Sequence, residues 1–449
     1  MMYAGRCLAL VLAIGGLAVP LSAQETAPSR EPLVLDLDGC IAYALENSYD
    51  LARQRITLAN SQLGITIARH KYAPGISGSA SHRDSTTPGS LKVRQVLPTD
   101  LEISASASAA DLGDSDARSD PGYSIGLSKR ILGGGSYHES MLEIDNSLID
   151  AAIAANRLSE QERDMVRRVM RQYYDLQRAR QTLVIRQRRV EIAQANLEHA
   201  IAREDPLDIA NAQLNVPTSE AALLRSEREI NTALDELKRL IGAPLDAPVE
   251  ITGEVVFESR EVDVESDIKR SEVSHETVLN KRLEIRKTEN ELPISRSRVL
   301  PAVDLGFTAD RGGGTAKEDG WSYETRVSAS WNLFAGAERA KLRQLRNQLA
   351  DADLSLEMLL RERQTSLTNL ARRLEEALRQ VDIGRQGVEV AERRAALYND
   401  RWENGAIDIL EYIRSQNDLE QSRVDLVDLE ITYLETLADY LHAVGDPLR

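Results

Sequence analysis

Leu342, Leu345, Leu349, Ala352, Leu356 and Leu359 recur at alternating three- and four-residue spacing, the apolar seam of a coiled coil. The seam slips once and resumes through Leu367, Leu370, Leu374, Leu378, Val381 and Val388, mixing steps of seven with an eleven-like step. That mixture keeps helices nearly straight instead of strongly supercoiled. As one helix, residues 337–403 extend roughly 100 Å at about 1.5 Å per residue. The stretch from Asn404 to Asp418, NGAIDILEYIRSQND, then reverses the chain. Val424, Val427, Ile431, Leu434, Ala438 and Leu441 rebuild the seam on a return helix. No ordinary globular core requires that reach.

Composition fits long helices with narrow seams: aromatics are 4% and charged residues 28% of the 449 residues. A net charge of -16 argues against nucleic acid as a partner, for which a basic surface is expected. Arg6, the apolar run Cys7 to Val19 and the small residues before Gln24 read as a signal peptide over residues 1–23. The run is short of the roughly 20 residues that span a bilayer, and no later stretch is as apolar. The mature chain is therefore expected to lack a transmembrane helix and, because Cys7 stands at the start of the run and not at the cleavage site, a lipid anchor. Cys40 is left without an internal partner and reads as a helix residue.

Taken in order, a helix is expected over about 38–71, ending at Ala73-Pro74-Gly75. Leu101, Ile103, Ala105, Ala107 and Ala109 then alternate with polar residues, as do Tyr123, Ile125 and Leu127, the two-residue period of strands with one wet face. Leu91 to Leu97 offers a further strand and an extra hairpin. A helical hairpin follows over 136–241, broken at Glu204-Asp205-Pro206 and stopped by Gly242-Ala243-Pro244. After a linker over 245–265, with a short strand expected within Val249 to Phe257, the pattern restarts. A helix over about 266–299, strands over 303–334 and a hairpin over 337–444 compose residues 266–449, against 24–244 for the first half. At an offset of 202, Gly134 corresponds to Gly336, and at 203, Gln213 to Gln416, Gly242 to Gly445 and Pro244 to Pro447. A two-fold internal repeat is expected. So few strands per half leave open edges, which lipid forbids, so a membrane reading requires closure with other copies.

The chain resembles the TolC-like outer-membrane efflux proteins. The carriers are the opening LDLDGCIAYALENSYDLARQR, the strand-to-helix junctions Leu132-Gly133-Gly134 and Leu333-Phe334-Ala335-Gly336, the repeat, and the NGAIDILEYIRSQNDLEQSRVDLVDLE segment. The resemblance implies a mostly α fold with membrane β: long antiparallel coiled-coil helices forming an α-barrel, joined to a β-barrel completed by trimerisation. It implies a homotrimer in outer-membrane lipid, with its helical tunnel in the periplasm. It further implies a passive exit duct in tripartite efflux or type I secretion, docking a periplasmic adaptor and an inner-membrane pump.

Position by position, Gly405 matches the family's turn glycine, and Asp205, Pro206, Ala406 and Ile407 share the two turns expected to meet the adaptor. Glu411 matches the first acid of a DVLDA-like pattern, and Arg414 stands where a second acid is usual, so it is expected to form salt bridges that lock the aperture. DIANAQ places Asp208 opposite Glu411, and Ala202 stands opposite Gly405. A simpler reading makes Asp208 and Glu411 favourable residues for helix N-termini.

Six scattered histidines lack metal-ligand spacing, neither glycine triplet leads into a phosphate loop, and no Ser/His/Asp or Cys/His constellation emerges. No cofactor, metal or catalytic role is expected. The rival classes are a periplasmic coiled-coil adaptor, which would have a single hairpin within a small β-rich domain, and a structural envelope protein.

Overall fold

The computed structural model describes residues 33–82, 87–109, 122–133, 136–253, 257–312, 320–331 and 335–445. The expected signal peptide, Gly134, Leu333-Phe334 and Pro447 lie outside the described residues.

The first half runs β1 (Leu33–Leu35), α1 (Leu37–Asn47), α2 (Tyr49–His70), then the strands β2 (Gly75–Ala80), β3 (Gly89–Val96), β4 (Leu101–Ala109) and β5 (Gly122–Leu132). It continues with α3 (Ser136–Arg203) and α4 (Pro206–Ile241). After β6 (Val249–Ile251), the second half runs α5 (Val264–Ser274), α6 (Glu276–Ser297), β7 (Ala302–Arg311), β8 (Trp321–Ser330), α7 (Gly336–Glu403) and α8 (Ile409–Val444).

The helices fall into pairs of equal length: 11 residues in α1 and α5, 22 in α2 and α6, 68 in α3 and α7, 36 in α4 and α8. Their spacing along the chain is not constant. α1 and α2 start 227 residues before α5 and α6 (Leu37 against Val264, Tyr49 against Glu276), whereas α3 starts 200 before α7 (Ser136 against Gly336). The first half thus holds 27 more residues between its short and long helices, about the size of the hairpin β2–β3.

Each helix expected before the strands is two. Ser48 is extended (ψ 127°) and its N–H donates to Ala44 O, closing α1. His275 is likewise extended (ψ 135°), donates to Ser271 O, and accepts from Thr277 N through Nδ1, capping α6. Both breaks are buried. They let α1 fold back on α3 and α4, and α5 on α7 and α8, beside the parallel pair β1–β6.

The main core sits at this level, halfway along the long helices. Met165, Val169, Leu176, Leu237, Leu367, Leu374, Val381, Ile431, Tyr433 and Tyr440 are buried together with Cys40, Ile41 and Ala44 of α1. Burial pushes the Cys40 thiol up to about 12, with Asp36 adding to it, so it stays protonated and inert. Tyr433 Oη accepts from Arg260 N and Tyr440 Oη donates to Asp267, tying the linker and α5 to α8.

The remaining strands form one antiparallel sheet in the order β2-β3-β4-β5-β7-β8. Its registers make each face continuous across all six strands. One row reads Ile76, Val93, Ala105, Ile125, Ala309, Tyr323, and the next on that face Gly78, Leu91, Ala107, Tyr123, Arg311, Trp321. The intervening row on the other face reads Ser77, Lys92, Ser106, Ser124, Asp310, Ser322. One face is therefore an apolar band and the other is polar, as the two-residue period requires. The polar face holds ion pairs between neighbouring strands, Arg94 with Glu102 at 2.6 Å and Arg130 with Asp304 at 2.8 Å.

At the sheet-to-helix junction, Gly133 has φ +70° and a Cβ there would lie 2.2 Å from Pro301 O. Only glycine fits that approach of the two strand lobes. Gly336 is different: it opens α7 with no atom within 4 Å of a built Cβ.

Candidate functional site at the hairpin tips and subunit flanks

The two long hairpins reverse through unequal turns. In the first, α3 ends at Arg203, Glu204 takes φ +58°, and Asp205 caps α4 by accepting from Leu207 N (2.9 Å) and Asp208 N (3.4 Å), with Pro206 opening the helix. In the second, Gly405 takes φ +69° after Asn404, and its N–H donates to Trp402 O. Asp408 caps α8 by accepting from Glu411 N at 2.9 Å. The left-handed residue of the first turn is thus Glu204, not the expected Ala202, which is still inside α3. Three extra residues in the second turn explain this: α3 and α7 differ by 200 in position, α4 and α8 by 203.

Between the tips lies a second apolar cluster in which Ala200, Ala212, Trp402, Ile409, Tyr412 and Ile413 are buried and Ile209 and Ile407 pack against them. Trp402 stacks on Tyr412 with centroids 4.8 Å apart and planes 5° from parallel, and His199 meets its edge. From the other hairpin, the Arg203 guanidinium lies 4.8 Å from the Trp402 ring centre. Its Nη2 also donates to Trp402 O (2.8 Å) and Glu403 O (2.9 Å), so Arg203 acts as a clasp on the last carbonyls of α7. Asp208, on the same hairpin as Arg203, adds a second contact, its Oδ1 accepting from Ile409 N at 3.4 Å, at the start of α8. The first hairpin thereby caps both helix ends of the second at the tip.

Above the tips, Arg189 of α3 is buried, with Nε 3.3 Å from Glu420 of α8 and Nη2 donating to Asn215 of α4. Arg186 pairs with the same carboxylate. Burial lowers the pKa of Arg189, opposed by the Glu420 charge, and burial raises that of Tyr412.

Of the residues picked from sequence, Asp205, Pro206, Gly405 and Ala406 are exposed at the tips, and Ile407 is half-buried in the cluster. Asp208 is half-buried at the α8 N-terminus, while Glu411 and Arg414 are exposed in the first two turns of α8. Among the described residues of this chain, Arg414 has no ion pair, so any salt bridge to it has to come from elsewhere. Sequence reasoning passed over Arg203, Trp402, Tyr412 and Arg189. One signal was available: Trp402 is one of three tryptophans in an aromatic-poor chain, next to the turn. Among the described residues no group of three or more His, Cys, Asp or Glu is placed to hold a metal, and no helix is long and apolar enough to cross a membrane.

The flanks carry a further pattern. α2 and α4 pack on α3, and α7 packs on α6 and α8, so α2 and α4 form one flank and α7 the other. Both flanks leave apolar residues uncovered at seven-residue spacing: Tyr49, Ile56 and Leu63 on α2, Leu207 and Leu214 on α4, and Ile383, Val390 and Leu397 on α7. Leu354 and Met358 extend the α7 stripe towards the sheet. A heptad stripe without a partner helix is a coiled-coil surface awaiting one.

Residues 268–445 match the family model described as Outer membrane efflux protein. The resemblance is to outer membrane efflux channels of the TolC type. The chain is 20% identical over 418 residues to the outer membrane efflux protein BepC of Brucella suis biovar 1 (strain 1330), covering 91% of this chain and 85% of that protein. Its fold matches a membrane protein from Pseudomonas aeruginosa (TM-score 0.70, 16% identity, 91% and 90% of the two chains). It also matches the outer membrane protein VceC of Vibrio cholerae (TM-score 0.69, 14% identity, 92% and 97%). The structure of the MtrE outer membrane channel of Neisseria gonorrhoeae in its open state aligns with a TM-score of 0.67 at 14% identity, over 92% and 89%.

Proposed function

We propose that three copies of this chain, each built from two duplicated halves, form a passive exit duct through the outer membrane and across the periplasm. It would serve a tripartite efflux or type I secretion system and open on docking with an adaptor and an inner-membrane pump. The observation that carries this is the pair of uncovered heptad stripes on opposite flanks. The lower stripes, Leu207 and Leu214 against Ile383, Val390 and Leu397, lie at similar distances from the tips, so α4 of one copy can pack on α7 of the next. Contacts between unlike flanks close into a ring when the rotation is right. The sheet supports the same reading: its apolar band suits lipid, its polar face suits a water-filled lumen, and Arg94 with Glu102, Arg130 with Asp304 and Arg326 with Glu324 pair there within the copy.

In this reading the exposed turns, with Asp205 and Pro206 in one and Gly405, Ala406 and Ile407 in the other, face the adaptor. Glu411 and Arg414 project near the mouth. Asp208 holds the two hairpins together in addition to its place near the aperture. Purified from outer membranes, the protein is expected to run as a heat-modifiable three-copy assembly and to form pores in planar bilayers. A monomer that fractionates with soluble periplasmic proteins would overturn the proposal.

A further inference from the structure

The hairpin β2–β3 is the part of the sheet that the second half does not match, and it accounts for the 27 extra residues of the first half. Without it each half would bring two strands. It is not a flap laid over the sheet. β3 pairs with β4 over eight consecutive positions and β2 with β3 over six, and the apolar row through Ile125 and Tyr323 continues through Val93 to Ile76 without changing face. The polar row does the same through Lys92 to Ser77. A decoration would not need to keep both faces in register with the wall.

Only β2 and β8 expose unpaired edges in this sheet among the described residues. β2 follows α2 directly, on the flank that carries Tyr49, Ile56 and Leu63, and β8 leads to α7, on the opposite flank. Successive strands alternate in direction from β2 to β8, so a β8 edge meeting the β2 edge of a neighbouring copy is antiparallel. The two edges thus match in flank and direction. In lipid neither edge can remain open.

We propose that β2 pairs with β8 of the next copy and that the assembly closes an 18-stranded barrel, six strands from each of three copies. The proposal rests on the three-copy reading above. Barrel diameter grows roughly in proportion to strand number, so this wall is about one and a half times as wide as one in which each copy supplied β4, β5, β7 and β8 alone. Barrels of about 16–18 strands enclose an open aqueous channel. The outer-membrane end of the duct is therefore a wide, charge-balanced exit, and restriction of cargo falls to the hairpin tips.

Disulfide trapping in the assembled protein tests this. Ser79→Cys on β2 is combined with Ser322→Cys or Ser328→Cys on β8, and Ser108→Cys on β4 with the same β8 positions. Cys40 is fully buried and does not compete. The expected result is an oxidation-dependent ladder of linked dimers and trimers from a β2–β8 pair, none from β4–β8, in particles whose native mass equals three chains. Linkage of β4 to β8 in a three-chain particle overturns the 18-stranded barrel and leaves the three-copy reading standing, as does a three-chain particle linked by neither pair. A native mass other than three chains overturns both.

Discussion

Arg203 provides the most direct test of how the hairpin tips are held together. It is exposed, yet it donates to two carbonyls at 2.8 and 2.9 Å and covers the Trp402 ring. After discounting for solvent, each charged hydrogen bond contributes about 1 kcal/mol and the ring contact about 0.5 kcal/mol. Arg203→Ala therefore weakens the clasp by about 2.5 kcal/mol. At about 1.4 kcal/mol per factor of ten, local opening of the tips becomes about sixty times more frequent. Hydrogen exchange followed by mass spectrometry should register this as faster exchange of the amides around 401–412, with the core near Leu374 unaffected. Arg203→Lys should fall between the two, keeping a charge over the ring but losing the planar fork. In bilayers the Ala variant is expected to open more often than the parent. Unchanged exchange at 401–412 would refute the clasp, because nothing else on α3 reaches these two carbonyls.

Gly405→Ala should cost about 1–2 kcal/mol at the tip through its positive φ alone, the space around it being open, whereas Glu204→Gly should be neutral or slightly stabilising; exchange at the two turns separates them. Gly133→Ala, which drives a Cβ into Pro301 O, should cost about 3 kcal/mol or more and remove the heat-modifiable assembly from gels, while Gly336→Ala should leave it intact. Burial, with Arg363, Arg163 and His442 adding to it, depresses the His275 pKa to about 3, so the ring is neutral when folded and its contribution is present above pH 6.5 and lost on acidification. Thermal stability should then fall between pH 7 and 4 by about 3 kcal/mol from this group, and His275→Asn, which can still cap Thr277, should flatten that slope.

Periodicity located the long helices and the alternating strands, because a residue's face is fixed by neighbours two, three or four positions away. Turn chemistry was equally local: Gly405 matched a turn glycine, and Glu204-Asp205-Pro206 read as the break between two helices. The strand at 89–96, with its extra hairpin, was visible as alternation, but its membership of one six-stranded wall required the registers. The seam of α7 was readable from Leu342 to Val388, yet nothing in the heptads told which apolar residues stay uncovered. Ile383, Val390 and Leu397 resemble buried seam positions until the helix is set against α8.

What the sequence by itself determined was the set of elements and the polarity of each face, since both follow from short-range spacing. What only the tertiary structure decided was which ends meet. The breaks at Ser48 and His275 follow from how α1 and α5 pack back on the bundle, not from a proline or glycine at those points. Arg203 and Trp402 are 199 residues apart, and Glu204 takes a left-handed backbone because three fewer residues are available to turn that hairpin. Local spacing cannot specify contacts at such separation. They are set by two helices of equal length that end side by side, and in the proposed duct that is where the mouth lies.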